Sequence, residues 1–176
     1  LPVQPTVNWD ADGLAPAALA QRFDRVAQSQ VSVWPVQVYA QPASALTPLD
    51  AVFSNGVELR GAVLAPVQLP PGGLVALHLD WRGDTATLTG AEKVFVHLLD
   101  GAGALVAQDD RALQLTGAET GSGLAAYGLR LPMELAPGDY RLVGGLYDPG
   151  APGASRILTA AGEDHVELGS VIVTTE

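Results

Sequence analysis

A chain of 176 residues with a net charge of −10 and only nine Lys and Arg is a poor partner for nucleic acid or for an anionic membrane surface. It holds no cysteine, which removes disulfides, thiolate zinc sites and cysteine nucleophiles together. The length fits one domain, or one domain with an appendage, and no stretch approaches the ~20 uninterrupted apolar residues of a membrane span.

The first ten residues, LPVQPTVNWD, lack the basic region and the apolar core of a signal peptide, and the chain starts at Leu. The expectation is a processed product or a piece of a longer protein. The run Asn8-Trp9-Asp10-Ala11-Asp12-Gly13 is turn-forming. A helix is then predicted over about Ala15 to Gln28, because Leu19, Phe23 and Val26 recur at i, i+4 and i+7. From Val31 the period becomes alternating, with a phase slip at Trp34-Pro35 that a bulge would produce. Pro35 lacks an N–H, so this strand is expected at a sheet edge. Gln41 to Pro48 reads as a linker, dividing the chain into residues 1–45 and 46–176.

Strands and turns follow. Val57–Leu64 is a strand, and Leu69 to Gly73 a turn. Leu74–Arg82 alternates, with Val75, Leu77, Leu79 and Trp81 on one face and His78, Asp80 and Arg82 on a solvent face. Lys93 to Asp110 is a hairpin around Gly101-Ala102-Gly103. Its first arm is apolar on both faces and is therefore central. Arg111–Gly123 is expected to be a mobile loop, and Leu124–Leu131 a weak strand. Tyr140–Tyr147 is a strong strand with paired glycines, Gly144 and Gly145. Short strands at Arg156–Leu158 and Val166–Val173 finish the chain. This spacing predicts an all-β fold, a two-sheet antiparallel sandwich of immunoglobulin-like or jelly-roll-like form, with one N-terminal helix. Phe95, Leu98, Trp81, Leu79, Tyr140 and Leu142 are the expected buried residues.

Four constellations bear on chemistry. No Gly-x-Ser-x-Gly elbow exists, and the histidines His78, His97 and His165 are scattered, so no catalytic residue is assigned. His97 is the most interesting of them, because it sits in the apolar hairpin. Asp109-Asp110, Asp139, Asp148 and Glu163-Asp164 stand beside turns, and a sandwich could bring them together at one end. A glycosidase needs two carboxyls about 5–9 Å apart, whereas turn hydrogen bonding is the default use of such acids. Asn8, Asp10 and Asp12, followed by Gly13, match half of a calcium loop, which makes calcium the one cofactor reading. The EF-hand twelfth position would be Leu19, and a turn opening the helix is preferred. Trp34 and Trp81 belong to apolar faces, while Trp9, Tyr127 and Tyr147 are freer to stack on a sugar. The ligand-binding candidates are therefore Trp9, Tyr127, Tyr147, His97, Asp109 and Asp148.

From residue 46 onward the landmarks run VELRGAVL, LPPGGLVALHLDWR, KVFVHLLDGAGALVAQDD, LAPGDYRLVGGLYDP, SRIL and HVELGSVIV. In this order they resemble the C-terminal extracytoplasmic β-sandwich module of bacterial membrane glycosyltransferases of the dolichyl-phosphate-mannose-dependent mannosyltransferase-like type. Leu14 to Tyr39 resembles the segment preceding that module. The family pattern favours a proline shortly after its Gln-x-Asp, then a tryptophan. Here that region reads RALQLTGAETGSGLAAYG, with neither. The resemblance implies a non-catalytic accessory module, scaffold or recognition, tethered outside the cytoplasm. Its partners would be the membrane-embedded part of the same polypeptide and a glycan; it would bind no nucleic acid and would not itself insert into the membrane. The alternatives are a carbohydrate- or calcium-binding module and, less favoured, a small glycoside hydrolase.

Overall fold

The computed structural model describes residues 10–116 and 120–175. Helix α1 (Leu14–Ala20) is followed by a ribbon of β1 (Asp24–Val31) and β2 (Trp34–Ala40), antiparallel over their whole length. One sheet then holds β3 (Thr47–Val52), β4 (Glu58–Ala65), β6 (Leu74–Asp84) and β9 (Thr120–Arg130), in that order and all antiparallel. The facing sheet runs β5 (Gln68–Leu69), β12 (Val166–Val173), β10 (Gly138–Tyr147), β7 (Lys93–Leu99), β8 (Leu105–Ala112), with β11 (Arg156–Ile157) on β10. Among the described strand pairs only β5–β12 is parallel. The architecture is an all-β sandwich carrying one short helix, as the alternation predicts. Among the described residues no helix is long and apolar enough to cross a membrane.

The core lies between the two sheets. From β6 come Val75, Leu77, Leu79 and Trp81, which alternation places on one face; from β7 come Val94, Val96 and Leu98; from β10, Leu142 and Leu146. All six residues expected to be buried are buried. Phe95, however, lies on the outer face of its sheet, opposite Val94 and Val96, and stands outside the main cluster.

Four expectations are corrected. The helix ends at Ala20, eight residues early, and its predicted second half is β1. Among the described residues β2 has no partner except β1, so a longer helix would have left the β2 backbone without a ladder. The short helix buries no residue, whereas Val26 in β1 is fully buried. Second, part of the expected linker is β3, hidden in the sequence by Pro48 and by Asp50 at φ 47°, where the ladder bulges. Third, the expected mobile loop is largely strand: Arg111 and Ala112 close β8, and Thr120 to Gly123 open β9 opposite Asp84 to Trp81. A Cβ on Gly121 would stand 2.7 Å from Thr85 and 2.8 Å from Leu115, so glycine there serves close packing. Residues 117–119 lie outside the described residues. Fourth, His78 does not face solvent. It is 4% exposed and its Nε2 sits 3.0 Å from Asp24 Oδ2, because the ribbon covers the outer face of β6 and β9.

Candidate functional site

The ribbon is fastened to the sandwich by the Asp24–His78 contact and, at the sheet edges, by Arg111. Asp109 and Arg111 alternate with Asp110 along β8, and their ladder partners Val96 and Val94 are core residues, so both point inward at the sheet edge. The Arg111 guanidinium donates from Nε to Asp109 Oδ1 (3.0 Å) and from Nη2 to Asp109 Oδ2 (2.6 Å). It also donates to the Val26 carbonyl of β1 (2.5 Å) and the Ala126 carbonyl of β9 (2.8 Å). Its plane lies 5.0 Å from the centroid of the Tyr127 ring. One planar cation thus joins both sheets and the ribbon, the use for which a rigid fork of donors suits Arg.

Beside this junction a groove of about 520 Å³ separates the ribbon from the sheet edges. Ser29 of β1, Asp109 and Arg111 of β8, and Arg130 of β9 supply its polar side chains, while Gln28, Gln30 and Gln108 border it on strands whose alternation turns their side chains to the opposite faces. Ala27, Gly128, Val36 and Val38 line the rest. Gly128 is required here: a Cβ would come within 3.0 Å of the Val26 carbonyl group, so β1 rests directly on β9.

The outer face of the other sheet gathers a second cluster. Phe95, His97, Asp110, Tyr147 and Arg156 line a cavity of about 190 Å³. The Phe95 ring lies over Gly145, where a Cβ would approach it to 2.6 Å, and Arg156 covers it at 4.5 Å from the centroid. Arg156 Nη1 donates to Asp164 (2.6 Å), and the other Asp164 oxygen pairs with His165 Nδ1 at 2.6 Å. The His165 hydrogen bond, with help from Arg156, holds the Asp164 carboxyl below its ordinary range. Burial pushes the His97 imidazole down, against the pull of Asp110 at 3.6 Å, and Arg156 adds to the lowering. Burial and then Asp110 push the Tyr147 phenol up. This cluster brings His97 and Tyr147 together, yet its charged groups already satisfy one another and its phenylalanine is covered.

The remaining candidates are dispersed. Tyr127 is corrected outright: it is 1% exposed in the core beneath Arg111, because β9 pairs it with Leu77, and burial pushes its phenol far up. Asp148 Oδ1 accepts from Gly150 N–H (2.8 Å), a turn contact. Asp109 and Asp110 are directed to opposite faces by strand alternation, so they do not form a carboxylate pair. Asp10 accepts from the N–H groups of Leu14 (2.7 Å) and Ala15 (3.2 Å), which puts its carboxylate on the first turn of α1. Asp12 is exposed. Asn8 and Trp9 lie outside the described residues. Among the described residues no three His, Asp or Glu side chains are grouped to hold a metal ion.

No protein-family model matches the chain, and no curated protein matches it. Among solved structures it is similar to the C-terminal domain of Wzt, with a TM-score of 0.44 at 12% identity over 76% of this chain and 81% of that one. A glycosyl hydrolase family 2 member from Bacteroides cellulosilyticus DSM 14838 aligns with a TM-score of 0.39 at 13% identity, over 68% of this chain and 15% of that one.

Sequence reasoning named Asp109 but missed Arg111, Arg130 and Ser29. The groove exists only because β1 is a strand, and the helical reading of Ala15 to Gln28 hid it. One signal was present. Only nine Lys and Arg occur in the chain, and Arg111 directly follows two acids at the end of a hairpin arm. A scarce cation at such a position is worth testing as a structural clamp.

Proposed function

We propose that this chain is a non-catalytic recognition module, an extracytoplasmic sandwich that reads glycan for a membrane glycosyltransferase carried by the same polypeptide. The groove between ribbon and sandwich carries the recognition reading. Its wall combines a hydroxyl, a carboxylate and guanidinium groups above small apolar residues. A guanidinium donates to, a carboxylate accepts from, and a hydroxyl does both with the paired hydroxyls of a sugar, and the groove's volume is that of a small-molecule site. The non-catalytic reading is supported by the acids, each engaged locally: Asp109 with Arg111, Asp148 with Gly150, Asp164 with Arg156 and His165. General acid–base work needs such groups aimed at one reacting centre. The glycosyltransferase context rests on the order of landmarks. PGGLVALHLDW forms β6, FVHLLDGAG and QDD form β7 and β8, and GDYRLVGGLY forms β10.

The test pairs a glycan array with two-dimensional NMR of the labelled protein, alongside chromogenic glycosides and lipid-linked sugars. The expected result is saturable binding without turnover, with shifts confined to Ala27–Gln30, Gln108 and the β9 residues at the groove. Turnover abolished by Asp109→Asn or Asp148→Asn would replace this reading with a hydrolase. Silence across the array would overturn recognition.

A further inference from the structure

We infer that the groove selects glycans that carry a carboxylate, uronic acid residues, with Arg130 as the group that takes the carboxylate. This rests on the reading above that the groove binds glycan. Two guanidinium groups and one carboxylate face the groove, Arg111, Arg130 and Asp109. The local balance is therefore positive on a chain whose net charge is −10.

The two cations differ in what they have left to offer. Arg111 spends its donors on Asp109, Val26 and Ala126, so it neutralises Asp109 in place and removes the one acid that would repel an anionic sugar. Arg130 is exposed at the last residue of β9, paired through its backbone with Leu74, and its side chain has no ion pair or hydrogen bond among the described residues. A guanidinium fork meets a planar carboxylate with two parallel hydrogen bonds, the best-matched geometry for that anion. A phosphate dianion would need a second unspent cation, which the groove lacks. On the ribbon's groove face Ser29, opposite Val36, is exposed, whereas Gln28 and Gln30 pair with Gln37 and Pro35 on the other face and Gln108 pairs with His97 on the outer face of its sheet. The Ser29 hydroxyl serves a ring hydroxyl of the sugar beside the carboxylate.

The experiment is isothermal titration of the whole chain with trisaccharides of galacturonate, glucuronate and mannuronate, each beside its own methyl ester. At least one acid should bind about tenfold more tightly than its ester, the order of one charge-assisted contact at a partly solvated site, and the gap should narrow as salt is raised. Arg130→Gln should erase that gap, and the thermal midpoint of the variant should match the parent, since Arg130 is a surface residue. Equal binding of acid and ester, or a gap that survives Arg130→Gln, overturns the inference while recognition of glycan stands. Displacement of the acid by inorganic phosphate would show a general anion site and overturn it equally. Binding of neither acids nor esters, with a silent glycan array, would overturn the underlying reading as well.

Discussion

Replacing Gly145 by Ala tests how the outer face of the sandwich is built. The added Cβ would stand 2.6 and 2.7 Å from two atoms of the Phe95 ring, closer than real carbon contacts allow. The ring cannot simply swing aside, because it is 2% exposed and Arg156 covers it. Overpacking of this kind costs about 1–3 kcal/mol, and the lower half of that range applies because the clash is with the end of a side chain. Phe95→Ala alone should cost about 3 kcal/mol, the low end for an aromatic truncated in a core, since the ring lies on the outer face of its sheet, outside the main core cluster. In the Phe95→Ala background the Gly145→Ala change should cost almost nothing, leaving a coupling of about 1–2 kcal/mol. Urea unfolding of the four proteins, with a common slope, gives all the terms. Gly145→Ala within about 0.5 kcal/mol of the parent, or additive losses in the double variant, would refute the packing argument.

Arg111→Met should cost about 1–3 kcal/mol, because it leaves the Val26 and Ala126 carbonyls and the Asp109 carboxylate without their shared donor. Hydrogen exchange should quicken first in Asp24–Val31, and equal exchange there in variant and parent would refute the clamp. Asp10→Ala should loosen α1 by about 1 kcal/mol, seen as lost amide protection at Leu14 and Ala15, with an unchanged global midpoint because α1 buries nothing. His97 has a folded pKa below its ordinary 6.5, so the unfolded chain takes the proton first as the pH falls. Its contribution to stability is complete above about pH 6.5 and is lost as the pH drops from there through the folded value. His97→Gln should flatten that part of the stability profile, and an unaltered profile would refute it.

Where a strand alternates into the core along most of its length, its sequence declared it. Val75, Leu77, Leu79 and Trp81 alternate into the core, and Val166–Val173 forms β12 with the predicted bounds. Legibility failed where a partner outside the local window decides the outcome. Leu19, Phe23 and Val26 fit a helical stripe, but the ladder to Trp34–Ala40 gives β1 its form, and only distant residues reveal that Val26 rests on β9. His78 was read from its own strand as solvent-facing, and the ribbon supplied the cover and the Asp24 partner. Tyr127 was read as free to stack on a sugar, and its neighbours Ala126 and Gly128 are small. Those small residues permit the close approach of β1 on the other side of the strand, while the ring goes into the core. The site was legible only at Asp109, since a groove between two sheets and a ribbon has no signature along one strand.

The strands at the sheet margins have a further consequence, for how copies of this protein meet in concentrated solution. A long straight margin offers unpaired N–H and C=O groups to any passing strand, the opening move of polymerisation. The margin at β5 is two residues long, and that at β3 is broken by Pro48 and a bulge. β8 carries Asp109, Asp110 and Arg111 together. β9, eleven residues long, would be the vulnerable one, but Arg111 occupies its Ala126 carbonyl and β1 rests against it at Gly128. The ribbon thus acts as a guard, and a chain shortened to begin at Ala45 should associate through β9 where the intact chain does not.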